Sequence, residues 1–280
     1  MQVLILGCGD IGTRVGLFLL DRGWRVAAAR RNPDRLPDQF VRHKVNLTDP
    51  ASFVALDTMA PDYVVVTPTP QSYDLAGYQA GFAGVAKTLA SQKWIAQCRR
   101  VIWVSSTRVY TESDGGWVDE HSPLNLDEPQ ASSMIAGEAA IRRASTATII
   151  RPAGVYGDPQ GMLMRRVRAG EGGATGALYG NRIHREDLSR LIVHCLERDH
   201  AGESVPPTVV GADHDQTPTH KIEDWLADQI AVTLVRPSDP SPSRAHRRCR
   251  NALLERIGFR LSYPTWREGY RAALDASSDK

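Results

Sequence analysis

The stretch QVLILGCGDIGTRVG, residues 2–16, decides the fold that this sequence predicts. Its first residues are a short apolar run, which is typical of a buried strand. A G-x-G-x-x-G pattern follows directly over residues 7–12. Beyond it, Ile11, Val15 and Leu19 are spaced four apart, which is the spacing of one helix face. The stretch therefore predicts a strand, a glycine turn and a helix in direct succession.

The position of this glycine turn makes it a candidate site for a dinucleotide, because the pattern is informative where it links a strand to a helix. Gly7 would allow the tight turn, Gly9 would admit the pyrophosphate, and Gly12 would let the helix pack close to the strand. Asp10 and Ile11 begin the helix, whose N-terminus would face the phosphates. The motif therefore predicts a cofactor of the NAD type.

The end of the second strand indicates which dinucleotide is preferred. NAD-binding proteins usually place an acid there, where it accepts hydrogen bonds from the ribose. Here the strand ends in AAARRN, with Arg30 and Arg31 and no acid before Asp34. Guanidinium groups can bind a 2′-phosphate in bidentate fashion. We therefore expect NADP, with NAD as the alternative; in a second interpretation the two arginines are only solvated surface residues.

The rest of the chain extends the pattern into an α/β fold. Further strands are expected at WRVAAA, VRHKVN, YVVVTP, RRVIWVSS and TATIIRP, with helical spacing between several of them. Strands that alternate with helices predict a parallel sheet covered on both faces, and right-handed crossovers make it a doubly wound, Rossmann-type sheet. After Pro152 turns and short helices dominate.

This change in pattern predicts two domains. Residues 1–156 with 182–200 would form the dinucleotide-binding domain, and residues 157–181 with 201–280 a smaller substrate-binding lobe. The segment from Thr111 to Ser133, rich in Gly, Pro, Ser and Asp, would form a loop or lid over the cofactor. It leads into a helix on which Ala136, Ala140 and Ile141 could share one face.

Composition excludes several other classes of protein. The net charge of +2 gives no general reason to bind nucleic acid or a membrane, and no apolar run is long enough to span one. The arginine-rich stretch SRAHRRCR, residues 243–250, contains no aromatic residues that could stack on bases. The scattered cysteines and histidines show no metal-ligand spacing, so no metal is expected. Free buried thiols and the lack of a signal-peptide pattern favour a cytoplasmic location.

Several motifs, in order along the chain, resemble the extended branch of the short-chain dehydrogenase/reductase superfamily. They are VSSTRVY, WVDEHSPLN, IIRPAGVYGD, NRIHREDLSRLIVHCLE and RNALLERIGFRLSYPTWREGYRAAL. The chain is most similar to the NAD-dependent epimerase/dehydratase family, whose members modify nucleotide sugars. The resemblance implies a nicotinamide cofactor, a nucleotide sugar or other small hydroxyl or carbonyl substrate, and a homodimer.

The resemblance also assigns roles to individual residues. Ser106 matches the catalytic Ser/Thr, whose hydroxyl bonds the reacting substrate oxygen; alternatively it only bonds local backbone. Tyr110 and Tyr156 belong to two VY motifs and are expected to be packing residues. The positions that would contact the cofactor are Asn46 and Leu47 near the adenine, Thr67 along the cofactor, and Arg151 and Pro152 near the nicotinamide.

The sequence departs from the family at its acid/base pair. The family pattern is Y-x-x-x-K, often with an acid four residues after the lysine. Anchoring that acid on Glu138 places Gln130 at the tyrosine position and Met134 at the lysine position. Neither side chain can replace a tyrosine base assisted by an ammonium group. The sequence thus leaves two hypotheses: an atypical NADP-dependent oxidoreductase, or a non-catalytic NADP-binding sensor or regulatory module.

Overall fold

The computed structural model describes residues 1–175, 178–237 and 246–278. Helices and strands alternate along most of this part of the chain. Its strands are β1 Gln2–Leu6, β2 Arg25–Arg30, β3 Val41–Lys44, β4 Tyr63–Val66, β5 Arg100–Val104, β6 Trp117–Val118, β7 Ala147–Pro152, β8 Gly154–Tyr156, β9 Arg182–His184, β10 Thr208–Gly211 and β11 Arg248–Cys249. Its α-helices are α1 Asp10–Leu20, α2 Leu75–Tyr78, α3 Val85–Ala90, α4 Pro129–Ala144, α5 Met162–Arg168, α6 Arg185–His200, α7 Thr219–Gln229, α8 Ala252–Arg256 and α9 Trp266–Ser278.

Seven of the strands form one sheet in the order β10-β7-β5-β4-β1-β2-β3. Pairing is parallel from β3 through β2, β1, β4 and β5 to β7. Helices flank the sheet, and this Rossmann-type α/β architecture confirms the predicted fold class. The six strands expected from the sequence are all present. The additional strand, β10, is only four residues long, too short for its TVVG sequence to distinguish it from a buried turn.

Burial explains why some strands are easier to recognise than others. In β4, YVVV, all four residues are buried, as expected for a strand in the centre of a parallel sheet. In β3, VRHK, three of the four residues are exposed, because this strand is at the edge of the sheet. The weak apolar signal of β3 therefore reflects its position.

Two compact units divide the chain. The first comprises residues 1–111, 124–151 and 188–209, and the second residues 112–123, 152–187 and 210–280. These boundaries differ from the expected ones: residues 112–123, 152–156 and 182–187 group with the second unit, and residues 201–209 with the first. Within that unit β6 pairs with β11, so the segment expected to be a free loop or lid contains a strand. The α4 helix also begins earlier than expected, at Pro129.

Of the three residues expected to share one face of α4, Ile141 is buried, Ala140 is half-buried and Ala136 is exposed. Met134, Gly137 and Glu138 are also buried. The residue at position 137 has to be small, because a Cβ atom there would lie 3.2 Å from the backbone oxygen of Phe82. Close packing of Gly137 against the segment that contains Phe82 therefore decides which face of α4 points inward. The spacing of the alanines does not decide it.

The second unit has a core of its own. Its helices α5, α7 and α9 pack with β8 around Tyr156, Met164, Ile222, Trp266 and Tyr270. The Tyr156 hydroxyl donates to the backbone oxygen of Thr265 at 3.3 Å, which confirms its expected packing role.

The arginine-rich stretch lies in the second unit, and its residues 243–245 are outside the described residues. The same holds for residues 238–243 of the Pro/Ser loop RPSDPSPS, residues 236–243, which overlaps its start. Although the stretch contains no aromatic residue, the Arg248 guanidinium lies 4.9 Å from the ring centres of both Trp117 and Tyr179. Folding therefore supplies aromatic neighbours from distant segments. No helix in the described part of the chain is long and apolar enough to cross a membrane.

Candidate dinucleotide-binding site

A pocket of about 470 Å³ opens in the first unit at the carboxyl ends of β1, β2, β3 and β4. This is the edge at which doubly wound sheets bind their ligands. The lining comes from five segments: Gly7, Cys8 and Gly9; Arg30, Arg31 and Asn32; Val45, Asn46, Leu47 and Thr48; Thr67, Pro68, Thr69, Pro70 and Gln71; and Gly81 with Val85. The sequence predictions for Gly7, Gly9, Arg30, Arg31, Asn46, Leu47 and Thr67 thus fall on one surface.

The three glycines of the motif are in different surroundings. Gly7 has φ +76°, and a Cβ atom there would lie 2.7 Å from the Thr67 backbone oxygen. A Cβ atom on Gly12 would lie 2.9 Å from Cγ2 of Ile5, so this glycine permits the contact between α1 and β1. At Gly9 the nearest atom, the Gly7 oxygen, would be 3.8 Å away. The turn therefore leaves open space above Gly9, as close approach of a pyrophosphate requires.

Two other residues of the motif, Asp10 and Ile11, do not line the pocket. Asp10 is exposed and pairs with Arg14 at 3.1 Å, and Ile11 is half-buried outside the lining. Cys8 is fully buried, and burial raises the pKa of its thiol to about 11. It is therefore a neutral packing group. All four cysteines are unpaired and buried, as predicted.

A cationic corner lies at the end of β2. Arg30 is half-buried and Arg31 exposed, and neither makes an ion pair with any residue that the structure describes. Asp34, the nearest acid along the chain, is exposed and lies outside the pocket lining. The lining contains no carboxylate side chain among the described residues. An anionic group bound here would thus meet two arginines that have no competing ion-pair partner in the described part of the chain.

Side-chain bonds hold the pocket walls in place. The Thr67 hydroxyl donates to the Gly7 backbone oxygen at 2.7 Å, joining the end of β4 to the glycine turn. The Thr48 hydroxyl donates to Oδ1 of Asn46 at 3.0 Å. In turn, Nε2 of Gln71 donates to the Thr48 hydroxyl at 2.5 Å. The loops after β3 and β4 are therefore linked across the pocket.

Part of this lining was not predicted from the sequence. Thr48, Pro68–Gln71, Gly81 and Val85 come from the loops after β3 and β4 and from a helical segment, none of which carries a recognisable cofactor motif. The one available signal is the run Thr67-Pro68-Thr69-Pro70, because two prolines directly after a buried strand indicate a stiff, extended connection.

Ser106 bonds local backbone. It precedes a 3₁₀ turn over Thr107–Val109, and its hydroxyl oxygen accepts a hydrogen bond from the Arg108 backbone N–H at 3.2 Å. This is the alternative role considered for Ser106. The contact uses a lone pair of the oxygen only, so the hydroxyl proton is still available. Gln130 is half-buried in the first turn of α4, and Met134, one turn on, is 1% exposed.

The residues expected near the nicotinamide are buried. Oε1 and Oε2 of Glu138 accept from Nε and Nη2 of Arg151 at 3.1 and 2.6 Å, and Oε1 also accepts from the Ser105 hydroxyl at 2.5 Å. A third nitrogen of Arg151 donates to the Tyr110 hydroxyl at 3.3 Å. Arg151 is therefore occupied by protein partners and lies outside the pocket lining, as does the buried Pro152. Tyr110 is fully buried, which confirms its expected packing role.

Comparisons with known proteins agree with this geometry. A family model described as NAD(P)H-binding matches residues 7–199, more than half of the chain. No protein of curated function matches the sequence. Among solved structures, a putative NAD-dependent epimerase/dehydratase from Methylobacillus flagellatus is 26% identical, with a TM-score of 0.80, over 99% of this chain and 98% of that one.

Two more distant structures share the fold. The Bordetella bronchiseptica enzyme WbmG, in complex with NAD and UDP, is 16% identical with a TM-score of 0.82 over 99% of this chain and 94% of that one. The Thermus thermophilus UDP-glucose 4-epimerase, in complex with NAD, is 17% identical with a TM-score of 0.79 over 98% of both chains. The predicted resemblance to epimerase/dehydratase-like proteins of the extended short-chain dehydrogenase/reductase type is thereby confirmed, and the chain belongs to the NAD(P)H-binding family.

Proposed function

We propose that this protein is an atypical oxidoreductase of the epimerase/dehydratase type that prefers NADP. The observation that carries the cofactor preference is the pair Arg30 and Arg31, which line the pocket without an ion-pair partner among the described residues. A carboxylate at that corner would repel a 2′-phosphate, whereas guanidinium groups bind phosphate through charge-assisted hydrogen bonds.

The residues present fit a dinucleotide. The open space at Gly9 suits a pyrophosphate, and Asn46 and Leu47 are positioned in the wall where the resemblance implies the adenine. When bound, the cofactor would supply or accept a hydride. The chain's own residues would then bind the substrate oxygen, with Ser106 as the hydroxyl donor that the resemblance implies.

The substrate that we propose is a small hydroxyl or carbonyl compound, with nucleotide sugars as the first class to test. Support comes from the fold that this chain shares with a UDP-bound enzyme and UDP-glucose 4-epimerases. Because Gln130 and Met134 stand at the tyrosine and lysine positions, any turnover should be slow and should lack the pH step of a tyrosine–lysine pair. A homodimer is the assembly implied by the resemblance, and light scattering tests it.

The cofactor proposal is tested with the double variant Arg30→Ala/Arg31→Ala. A single charge-assisted hydrogen bond contributes about 1.5–3 kcal/mol, so a net loss equivalent to one such bond should lower NADPH affinity roughly ten- to a hundredfold. NADH affinity should change much less, since NADH has no 2′-phosphate. Calorimetric titration with both cofactors measures the two effects. An equal loss for NADPH and NADH would show that these arginines do not read the 2′-phosphate.

The enzyme and sensor hypotheses are separated by a thermal-shift screen of nucleotide sugars on NADP-loaded protein. An additional, saturable stabilisation by one sugar nucleotide supports the oxidoreductase. Stabilisation by the cofactor alone, together with no oxidation or reduction of the sugars, supports the non-catalytic sensor or regulatory module.

A further inference from the structure

A tyrosine and an arginine from separate segments meet beside Ser106. Nη1 of Arg108 donates to the Tyr78 hydroxyl oxygen at 3.3 Å, and the guanidinium lies 4.9 Å from the centre of the Tyr78 ring. Through its backbone N–H, Arg108 also donates to the Ser106 hydroxyl oxygen at 3.2 Å. Arg108 thus donates a hydrogen bond to each hydroxyl oxygen, from its backbone to Ser106 and from its side chain to Tyr78.

Both hydroxyl groups keep a proton to donate. Each oxygen accepts a hydrogen bond from Arg108, and neither hydroxyl proton has an acceptor among the residues that the structure describes. A hydroxyl group can donate one hydrogen bond while it accepts others. Tyr78 and Ser106 are therefore two hydroxyl donors that the same arginine holds in place.

The arginine between them is itself fixed. Its Nε and Nη2 donate to the two carboxylate oxygens of Glu128 at 3.2 and 2.6 Å. Glu128 caps α4, because its side chain accepts from the Ala131 backbone N–H at 2.7 Å. The Arg108 side chain is thus held by the start of the helix that carries Gln130 and Met134.

The helical segment that carries Tyr78 reaches the cofactor pocket. Tyr78 ends α2, and a π-helical turn over Gln79–Gly84 follows it directly. Gly81 in that turn lines the pocket, as does Val85 at the start of α3. Single π-helical turns are uncommon and occur frequently at functional sites. The tyrosine thus lies three residues from a wall of the dinucleotide pocket.

We propose that Tyr78 and Ser106 form a two-donor site for the substrate's carbonyl or hydroxyl oxygen, with Tyr78 as the proton-exchanging residue and Arg108 as the positioning residue. The inference rests on the proposed oxidoreductase function and supplies the acid/base group missing at Gln130 and Met134. A carbonyl oxygen has two lone pairs and can accept from both hydroxyls. Preoriented donors of this kind stabilise the negative charge that develops on such an oxygen.

The proton balance is simple. During reduction, bound NADPH would supply a hydride to the carbonyl carbon and the carbonyl oxygen would take the Tyr78 proton, so that the phenolic O–H bond breaks and the C–H and O–H bonds of the alcohol form. The phenolate is left beside the Arg108 guanidinium, which is the charge that favours it, and it recovers a proton from water. Oxidation of an alcohol runs the same transfer in reverse.

A chromophoric aldehyde tests the site without requiring turnover. The absorption of 4-(dimethylamino)cinnamaldehyde moves to longer wavelength when its carbonyl oxygen accepts hydrogen bonds. With oxidised NADP bound to wild-type protein, the aldehyde should show this shift. Tyr78→Phe should lose a large part of it, and Tyr78→Phe/Ser106→Ala should lose it completely. NADP affinity, measured by calorimetry, should be unchanged in both variants.

The controls isolate the hydroxyl group. Tyr73→Phe removes a hydroxyl from a side chain that is 78% exposed and only five residues away, and it should leave the shift intact. Arg108→Met should weaken the shift, and Arg108→Lys should recover part of it, because an ammonium group can still donate to Tyr78. A purely structural role of Arg108 would show no such recovery.

The two levels of proposal fail separately. A wild-type protein that does not bind NADP would overturn the proposed function. Normal NADP binding with a full shift in Tyr78→Phe, or with no shift in the wild-type protein, would overturn the two-donor site. If the two-donor site is overturned, Tyr78 is a packing residue and Ser106 keeps only the role implied by the resemblance.

Discussion

Gly9 and Gly12 are three residues apart, yet a side chain would affect them differently. At Gly9 the added atom points into open space in the pocket, 3.8 Å from the nearest atom. At Gly12 it would come within 2.9 Å of Ile5, inside the contact between α1 and β1. A side chain at the first position would therefore enter the pocket, whereas one at the second would disturb the contact between α1 and β1.

We predict that Gly9→Val weakens NADPH binding by more than about 100-fold, or ~2.7 kcal/mol, with little change in stability. The reason is that the valine would occupy the space of the pyrophosphate. Gly12→Val should instead lower the free energy of unfolding by about 1–3 kcal/mol through overpacking. Calorimetric titration and urea denaturation of both variants measure the contrast. A folded Gly9→Val protein with unchanged NADPH affinity would refute the cofactor site.

A second residue-scale prediction concerns pH. Asp213 is fully buried, its Oδ2 has no hydrogen-bond partner among the described residues, and burial raises the pKa of its carboxyl group to about 8. Its charged neighbours in the second unit are Arg182, which opposes the rise, and Asp215 and Glu268, which add to it. The Tyr156 and Tyr270 side chains also face it.

The sign of the effect follows from this raised pKa. The folded protein holds the proton up to about pH 8, whereas the unfolded chain releases it near pH ~3.9. The contribution of Asp213 to the free energy of unfolding is thus complete below pH ~4. It is lost as the pH rises from there through about 8, at up to about 1.4 kcal/mol per pH unit. Asp213→Asn should abolish this slope in urea denaturation series from pH 4 to 9. Parallel pH profiles for the two proteins would contradict it.

At the scale of an element, α4 is joined to the sheet by a buried ion pair. Glu138 on the helix and Arg151 on β7 are 3% and 4% exposed. Removing one partner of such a pair leaves an uncompensated charge. Glu128, which caps the start of the same helix, pairs with Arg108. One carboxylate on the helix and one at its cap thus position two arginines.

We predict that Glu138→Ala lowers the free energy of unfolding by about 3–5 kcal/mol, because Arg151 would stay buried and unpaired. Asp38→Ala is the matched control, since Asp38 is an almost fully exposed partner of Arg42. Its loss should cost less than about 1 kcal/mol. Urea denaturation at pH 7 measures both variants. A cost for Glu138→Ala no larger than the control's would mean that the pair is not buried in solution.

At the scale of the whole molecule, the pocket lining comes entirely from the first unit. Its segments lie within residues 7–9, 30–32, 45–48, 67–71 and 81–85, all of which belong to that unit. Binding should therefore protect a defined and limited part of the backbone.

We predict that saturating NADPH slows amide hydrogen exchange in these five segments. A ligand at 100 times its Kd should stabilise the folded protein by about 2.7 kcal/mol, so the thermal midpoint should also rise. Mass spectrometry of peptide fragments locates the protection. The Arg30→Ala/Arg31→Ala variant serves as the control and should lose this protection from exchange first at residues 30–32. Protection confined to residues 219–229 of the second unit would place the cofactor elsewhere.

The sequence by itself determined six of the seven strands of the sheet and the glycine turn, because these depend on local chemistry. The run before Gly7 is apolar enough to be a buried strand, and a positive φ at that residue favours glycine. The arginines at the end of β2 are likewise predictable, since the end of a strand in this fold has a known position. Neighbours in the chain are sufficient for such predictions.

Only the tertiary structure decided which side chains are paired and which are free. Nothing in the sequence indicates that Arg151 forms an ion pair with Glu138, or that Tyr78 lies beside Arg108. These contacts join residues 13 and 30 positions apart, and their geometry depends on how helices pack on the sheet. The orphaned oxygen of Asp213 is of the same kind, because burial is a property of the packed molecule.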